Sequence, residues 1–280
     1  MDDELIKQLR DPRVTVPEFC SVVDQRTEDI IQYDADRVCP RLQHSILAFM
    51  GDTPRDSDGM TQWLIVNASR QTTKSTTTAL AMANLAEYTP GAFAAIIADK
   101  KERAEDLFRA IDISYEYKPE EVKYPTIANR ESRQLTFTHK GKIRTLAANQ
   151  ENVGIGRGAS YLHMSELPFW NDPADVWFKM GPAFRNRENA VIVMESTPAP
   201  MSEPGAEWYR DMCAEARKGH GRFKFLFVPF YESNLNERRW EKAWKPDSTE
   251  LKLLEKYGPP TGVEPVSMKG AGYLTLENLA

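Results

Sequence analysis

The stretch that most restricts what this chain can fold into is Ala68-Ser69-Arg70-Gln71-Thr72-Thr73-Lys74-Ser75-Thr76. It follows Trp63-Leu64-Ile65-Val66, an apolar run that reads as a buried strand. It leads into Ser75–Glu87, a run of good helix formers after a threonine-rich entry. A strand, a tight polar turn, a lysine, a hydroxyl and a helix start are the parts of a phosphate-binding loop. In that reading backbone N–H groups of Ser69–Thr76 and the positive end of the helix face the phosphates. Lys74 reaches the β- and γ-phosphates, and Ser75 offers its hydroxyl to Mg²⁺. The usual spacing is G-x-x-x-x-G-K-[ST], and here Ala68 and Thr73 stand at the two glycine positions. A positive φ at Thr73 would be costly, because its Cβ crowds the backbone there. The same residues also make a threonine-rich helix cap with an exposed lysine. Since the lysine charge points at phosphate rather than the core, its removal is expected to leave the fold intact.

Further strands and helices alternate along the chain. Phe93–Ala98 reads as a second buried strand and Lys100–Tyr115 as a charged amphipathic helix. Arg133–Thr138 and Lys142–Leu146, joined by His139-Lys140-Gly141, suggest a β-hairpin. Tyr161–Met164, Val191–Met194 and Phe223–Val228 read as strands, with helices near 174–184, 206–218 and 237–256. Strands alternating with helices imply an α/β fold whose mostly parallel sheet is covered on both faces.

Two strand ends carry polar groups suited to nucleotide chemistry. Tyr161-Leu162-His163-Met164-Ser165-Glu166 ends an apolar strand in an acid. Phosphate-loop ATPases place a metal-holding Asp there, often followed by a Glu that polarises water. Ser165 occupies the first place and Glu166 the second. Val191-Ile192-Val193-Met194-Glu195 runs into Ser196-Thr197-Pro198, where a sheet ATPase can sense the γ-phosphate. Separately, these are a strand ending in a solvated glutamate and an ordinary strand-ending turn.

Composition excludes several classes. With 280 residues, 41% hydrophobic and 28% charged, the chain can bury a sizeable core in one large domain or a domain with an appendage. The longest apolar run, Ala92–Ala98, is too short to span a bilayer, and Met1-Asp2-Asp3-Glu4 lacks the basic and apolar regions of a secretory signal. A cytosolic protein with no membrane partner is expected. Three cysteines without a CxxC pair and four scattered histidines suggest neither a disulfide framework nor a zinc site. A net charge of −5 excludes a generally basic coat but not a local basic face. Residues 1–60 carry seven Lys/Arg against thirteen Asp/Glu, and residues 61–150 carry thirteen against ten, so such a face belongs in the second stretch. Arg130, Arg133, Lys140, Lys142 and Arg144 are the candidates for sequence-independent DNA contact, and the same residues also make an ordinary solvated hairpin.

In the order of its motifs the chain resembles the large terminase subunit of tailed bacteriophages, the ATPase motor of viral DNA packaging. The family's deviant phosphate loop has the form S-R-Q-x-G-K-[ST], matched by Ser69-Arg70-Gln71-Thr72-Thr73-Lys74-Ser75. Its upstream adenine-contacting Gln motif is matched by Pro40-Arg41-Leu42-Gln43-His44, preceded by Phe19–Asp24. Its Arg-Gly pair corresponds to Arg157-Gly158 within Gly154-Ile155-Gly156-Arg157-Gly158, and its coupling motif to Ser196-Thr197-Pro198. The resemblance spans roughly residues 19–230. It departs at Thr73, which replaces the loop glycine, and at Ser165, which replaces the acidic metal partner.

The resemblance implies a P-loop NTPase fold of the ASCE, RecA-like kind. It divides the chain into an N-terminal appendage with the adenine-binding segment (1–60), an ATPase core (61–230) and a lid or linker (231–280). It implies ATP and Mg²⁺ as cofactors. Gln43 and Ser69 to Thr76 would bind nucleotide, and Glu166, Arg157 and Arg70 would be catalytic, with Ser75 and Ser165 toward the metal. Arg157, in a glycine-rich segment, would be a finger given to a neighbouring subunit. Implied partners are double-stranded DNA, the portal and procapsid, the small terminase subunit and further copies in a ring, a pentamer in the family, in the host cytoplasm. Family members carry a C-terminal nuclease. No strand-borne carboxylate cluster follows residue 230 here, so nuclease activity is not expected of this chain. Two other readings fit the residues: a helicase-like DNA-dependent ATPase, which would need a second RecA-like domain, and a nucleotide-binding assembly module with little turnover.

Overall fold

A computed structural model of the chain describes residues 3–24, 27–149, 158–185, 187–219 and 221–234. The chain opens with α1 (Asp3–Arg10) and α2 (Pro12–Phe19), then a small hairpin of β1 (Ser21–Val23) and β2 (Ile30–Gln32), then α3 (Pro40–Asp52). Asp11 starts α2 by accepting the Arg13 N–H at 2.9 Å, with Pro12 in the first turn, where a missing N–H costs nothing.

The central sheet is built from β3 (Trp63–Ala68), β4 (Phe93–Ala98), β5 (Ile127–Glu131), β6 (Gln134–Phe137), β7 (Lys142–Ala147), β8 (Tyr161–Ser165), β9 (Val191–Ser196) and β10 (Phe223–Val228). Its eight strands run in the order β10-β3-β9-β8-β4-β7-β6-β5. β10, β3, β9, β8, β4 and β7 are parallel, while β6 and β5 close one end antiparallel. The expected mostly parallel α/β sheet is therefore present, and so is the hairpin joining β6 to β7. β5 was not anticipated.

The helices α4 (Lys74–Glu87), α5 (Lys101–Tyr117), α6 (Pro173–Arg185) and α7 (Ala206–Arg217) cover both faces. Leu64, Val66, Ala94, Ile96, Val191 and Val193 pack with α4 and α5 in one cluster. Ile65, Ala95, Ile97, Leu162, Met164, Ile192 and Met194 pack with α6 and α7 in the other. Burial on both faces is why these strands read as continuous apolar runs rather than alternating ones. The first sixty residues join the α4 side: Val16, Cys20, Leu42, Ile46 and Met50 belong to the same cluster as Leu80 of α4. No described helix is long and apolar enough to cross a membrane. The helix expected near 237–256 and the segment 235–280 lie outside the described residues.

The turn that leaves β8 is braced from the α7 side. Leu167–Phe169 forms one 3-10 turn, and the Gly205 N–H at the start of α7 donates to Pro168 O at 2.9 Å. A Cβ on Gly205 would lie 2.4 Å from Leu167 O and 2.9 Å from Pro173 Cγ. Only glycine permits this approach without moving backbone. Gly205→Ala is expected to cost about 1–3 kcal/mol, the usual penalty of overpacking. Urea unfolding measures it, and an unchanged midpoint would contradict the contact.

Candidate functional site

The loop between β3 and α4 turns through left-handed backbone twice, at Gln71 (φ 59) and Thr73 (φ 58). For a β-branched residue this conformation is strained by about 1–2 kcal/mol. The conformation expected to be costly at Thr73 is therefore adopted, and its hydroxyl helps to hold it. Thr73 Oγ1 donates to Thr72 O at 2.7 Å and accepts from Gln43 Nε2 at 2.5 Å. Thr72 Oγ1 donates to Ser69 O at 3.0 Å, and Thr77 Oγ1 to Thr73 O at 2.9 Å. Gln43 is only 1% exposed and also accepts the Cys39 N–H at 3.2 Å, so it sits beneath the loop as a prop. Gln43→Ala removes this support and strands a buried N–H. It is expected to lower stability by about 1–3 kcal/mol and to weaken ADP binding, measured by thermal melting and calorimetric titration.

No side-chain cap occupies the first turn of α4, which leaves its N–H groups unsatisfied by side chains and directed into the loop. Ser75 and Thr76 are half-buried on that turn, as Ser69 is in the loop, while Arg70 and Gln71 are exposed. Lys74 is not the exposed lysine of a simple helix cap. It is 4% exposed, with its Nζ 3.2 Å from Glu166 Oε1 and 3.7 Å from Glu195 Oε2. The expectation that its removal leaves the fold intact is therefore corrected: two buried carboxylates would lose their cation.

Glu166 lies directly beyond β8 in left-handed backbone (φ 58), its N–H donating to Glu195 O at 2.7 Å. Its Oε2 accepts from Ser196 Oγ at 2.7 Å and Thr197 Oγ1 at 3.1 Å. Lys74, the strand-end glutamate and Ser196-Thr197 thus meet at the C-terminal edges of neighbouring strands, with exposed Pro198 following. That edge is where parallel α/β sheets carry their ligand sites. Arg103 of α5 adds a second cation, 3.0 Å from Asp99 Oδ1 and 3.9 Å from Glu166 Oε1.

Glu195, Asp99, Arg103 and His163 belong to this cluster and were not singled out from sequence. Glu195 and His163 were visible as polar residues inside apolar strand runs, a combination that buried strands rarely carry without a role. Asp99 directly follows the apolar strand β4, and Arg103 is one helical turn beyond it. Glu195 Oε1 is 3.2 Å from His163 Nε2, both side chains fully buried. Burial pushes the Glu195 carboxyl up, but the Lys74 ammonium and the His163 contact outweigh it and hold it down at about 2. At Asp99 burial wins over Arg103 and the carboxyl is raised.

Ser165 is fully buried, and its Oγ makes no hydrogen bond. Glu195 Oε2 is likewise without a hydrogen bond. Among the described residues no group of three or more His, Cys, Asp or Glu could hold a metal alone. The orphaned oxygens at 165 and 195 beside the phosphate loop fit a magnesium that arrives with nucleotide, since Mg²⁺ is commonly bound by one or two carboxylates plus substrate phosphates.

The candidate DNA-contacting residues are not gathered at this site. They lie on or beside β5, β6 and β7, beyond β4 from the loop strand β3. Arg130 is 3.2 Å from Asp112 and 3.7 Å from Glu116, and Lys142 Nζ stands 4.3 Å over the Phe93 ring. Arg133 is half-buried, and Lys140 and Arg144 are exposed. Arg157 lies outside the described residues.

No family model matches the sequence, and no curated protein does. Solved structures do match. The HK97 bacteriophage large terminase superposes with a TM-score of 0.58 at 14% identity, over 95% of this chain and 54% of that one. The chain therefore spans about half the length of that protein. The ATPase domain of the Thermus phage P74-26 large terminase aligns with a TM-score of 0.50 at 15% identity, over 66% of this chain and 79% of that one. A mutant of that domain aligns at 0.51. The chain thus shares the fold of these terminase structures.

Proposed function

We propose that a chain built on the fold of phage large-terminase ATPase domains serves as the ATPase portion of such a motor, hydrolysing ATP to drive double-stranded DNA into a procapsid. The observation that carries this reading is the convergence of Lys74, Glu166 and Ser196-Thr197 beside an uncapped helix N-terminus. Each group has a role that its geometry supports. The loop N–H groups and Lys74 bind the β- and γ-phosphates by charge-assisted hydrogen bonds. Gln43 holds the loop through Thr73 and would contact the adenine. Ser75 and the buried oxygens near Ser165 would hold magnesium, which when bound neutralises charge on the phosphates.

Lys74 and Glu166 are paired at 3.2 Å. An arriving γ-phosphate competes for Lys74, and Glu166 then remains held by Ser196 and Thr197, free to accept from water. As the water oxygen bonds phosphorus, the bridging P–O bond breaks, ADP leaves and the water's proton passes toward Glu166. Because Ser196 and Thr197 grip the same carboxylate, a change of charge at Glu166 reaches the strand end that leads on to Pro198. Arg103 offers positive charge from within the chain. Arg70 and Arg157 extend the proposal, with Arg157 reaching a neighbouring subunit in a ring. The portal, the small terminase subunit and the host cytoplasm belong to the same proposal, as does the absence of nuclease activity.

A second reading, a nucleotide-binding assembly module with little turnover, is favoured by Ser165, where an acid is expected. Magnesium-dependent ATP hydrolysis, measured with and without DNA, tests the choice. DNA-stimulated turnover supports the motor. ADP binding with no hydrolysis in either condition supports the module.

A further inference from the structure

Ser165 and Glu195 are partners in register across the parallel pair β8 and β9. On β8, Leu162 and Met164 pack toward α6 and α7, and on β9 so do Ile192 and Met194. Alternation along a strand therefore puts Ser165 and Glu195 on the opposite face. That is the face covered by α4, the helix that Lys74 begins. Both residues are fully buried, and Ser165 Oγ and Glu195 Oε2 make no close hydrogen bond, although the Ser165 hydroxyl is near enough to help hold the Glu195 carboxyl down. Glu195 Oε2 lies 3.7 Å from Lys74 Nζ, while Oε1 is occupied by His163. A carboxylate in such a position costs several kcal/mol of desolvation, which an apolar side chain at the same place would avoid.

We propose that Glu195 supplies the metal-facing carboxylate that Ser165 lacks, so that the acid serving the nucleotide's magnesium has moved one strand across the sheet. Oε2, which makes no hydrogen bond, faces at 3.7 Å the lysine that would bind the phosphates. Ser165 is smaller than the acid it replaces, and Ser75 lies in the first turn of α4, directly after Lys74. His163 fixes the other oxygen, as a partner behind a metal-binding carboxylate does. This inference rests on reading the loop as a magnesium-nucleotide site.

Manganese is the probe. Its affinity for the ADP-bound protein is read by electron paramagnetic resonance, and ADP affinity without metal is read by calorimetry in EDTA. Glu195→Gln is expected to weaken manganese binding about 10–100-fold while ADP affinity in EDTA stays within a few-fold. Adding Ser165→Asp to Glu195→Gln should recover most of the loss. Glu195→Asp keeps the charge but shortens the reach. It should fall between wild type and Glu195→Gln, and it serves where the glutamine variant does not fold. Wild-type manganese affinity in either single variant overturns the inference. So does a parallel loss of metal-free ADP binding, which would make Glu195 only the partner of Lys74. Wild-type protein that binds no ADP at all overturns the nucleotide-site reading itself, a result distinct from either variant outcome.

Discussion

Lys74→Ala should lower ATP hydrolysis by at least about 10²–10³-fold, the scale of losing one preorganised charge at a phosphoryl centre. Steady-state phosphate release measures the loss. The same variant should also be less stable without nucleotide, because Glu166 and Glu195 are buried and lose their shared cation. Breaking a buried pair from one side costs on the order of 3–5 kcal/mol, reduced here to the extent that water or a proton reaches the carboxylates. The two readouts separate two views of the residue. A lysine that merely capped α4 would change neither by much, and hydrolysis at the wild-type rate would refute the phosphate-loop assignment.

The second large effect belongs to Glu166. Glu166→Gln keeps the shape that Ser196 and Thr197 grip but removes the charge that draws a proton from water. Turnover should fall by about 10²–10⁴-fold, the usual worth of general base catalysis, while ATP still binds. A fluorescent nucleotide gives the affinity, and single-turnover hydrolysis gives the rate. Affinity falling in step with rate would place Glu166 among the metal or structural groups instead. The left-handed backbone at Glu166 bears on this prediction. A non-glycine residue held at φ 58 in a braced turn is strain kept at a site, and here it aims a carboxylate back at the lysine.

Together the two predictions turn on one ion pair. Lys74 Nζ stands 3.2 Å from Glu166 Oε1, so phosphate must displace a carboxylate to reach the lysine. In the proposed mechanism that competition would lower nucleotide affinity and keep Glu166 paired until phosphate arrives. Gln43 acts at one remove, through a threonine whose backbone strain a glycine would not have.

Much of this was legible in the residues. β3, β4, β8 and β9 announce themselves as apolar runs because both their faces are buried, β10 by its phenylalanines although it lies at the edge and is partly exposed, and the helices between them carry ordinary amphipathic or alanine-rich patterns. The phosphate loop, Glu166 and Ser196-Thr197 were found by their places at strand ends, since a parallel sheet collects such ends along one edge. β5 escaped because its residues after Ile127, Ala-Asn-Arg-Glu, are exposed and show no apolar period. A strand at the border of a sheet is held by backbone hydrogen bonds that leave no mark on side-chain composition.

The strand order was not legible, and the site depends on it. Glu166 and Glu195 are far apart in sequence, yet β8 and β9 lie side by side, and β9 alone separates β8 from the loop strand β3. Only that arrangement brings Glu195 under Lys74, sets it in register with Ser165, and lets Ser196 and Thr197 reach the Glu166 carboxylate. Arg103 likewise comes within reach because β4 borders β8 on its other side. Hydrophobic periodicity reports whether a face is buried, not which strand buries it. Neighbours are chosen by packing and crossover over the whole sheet, so the partners of a charged residue stay hidden until those long-range contacts form.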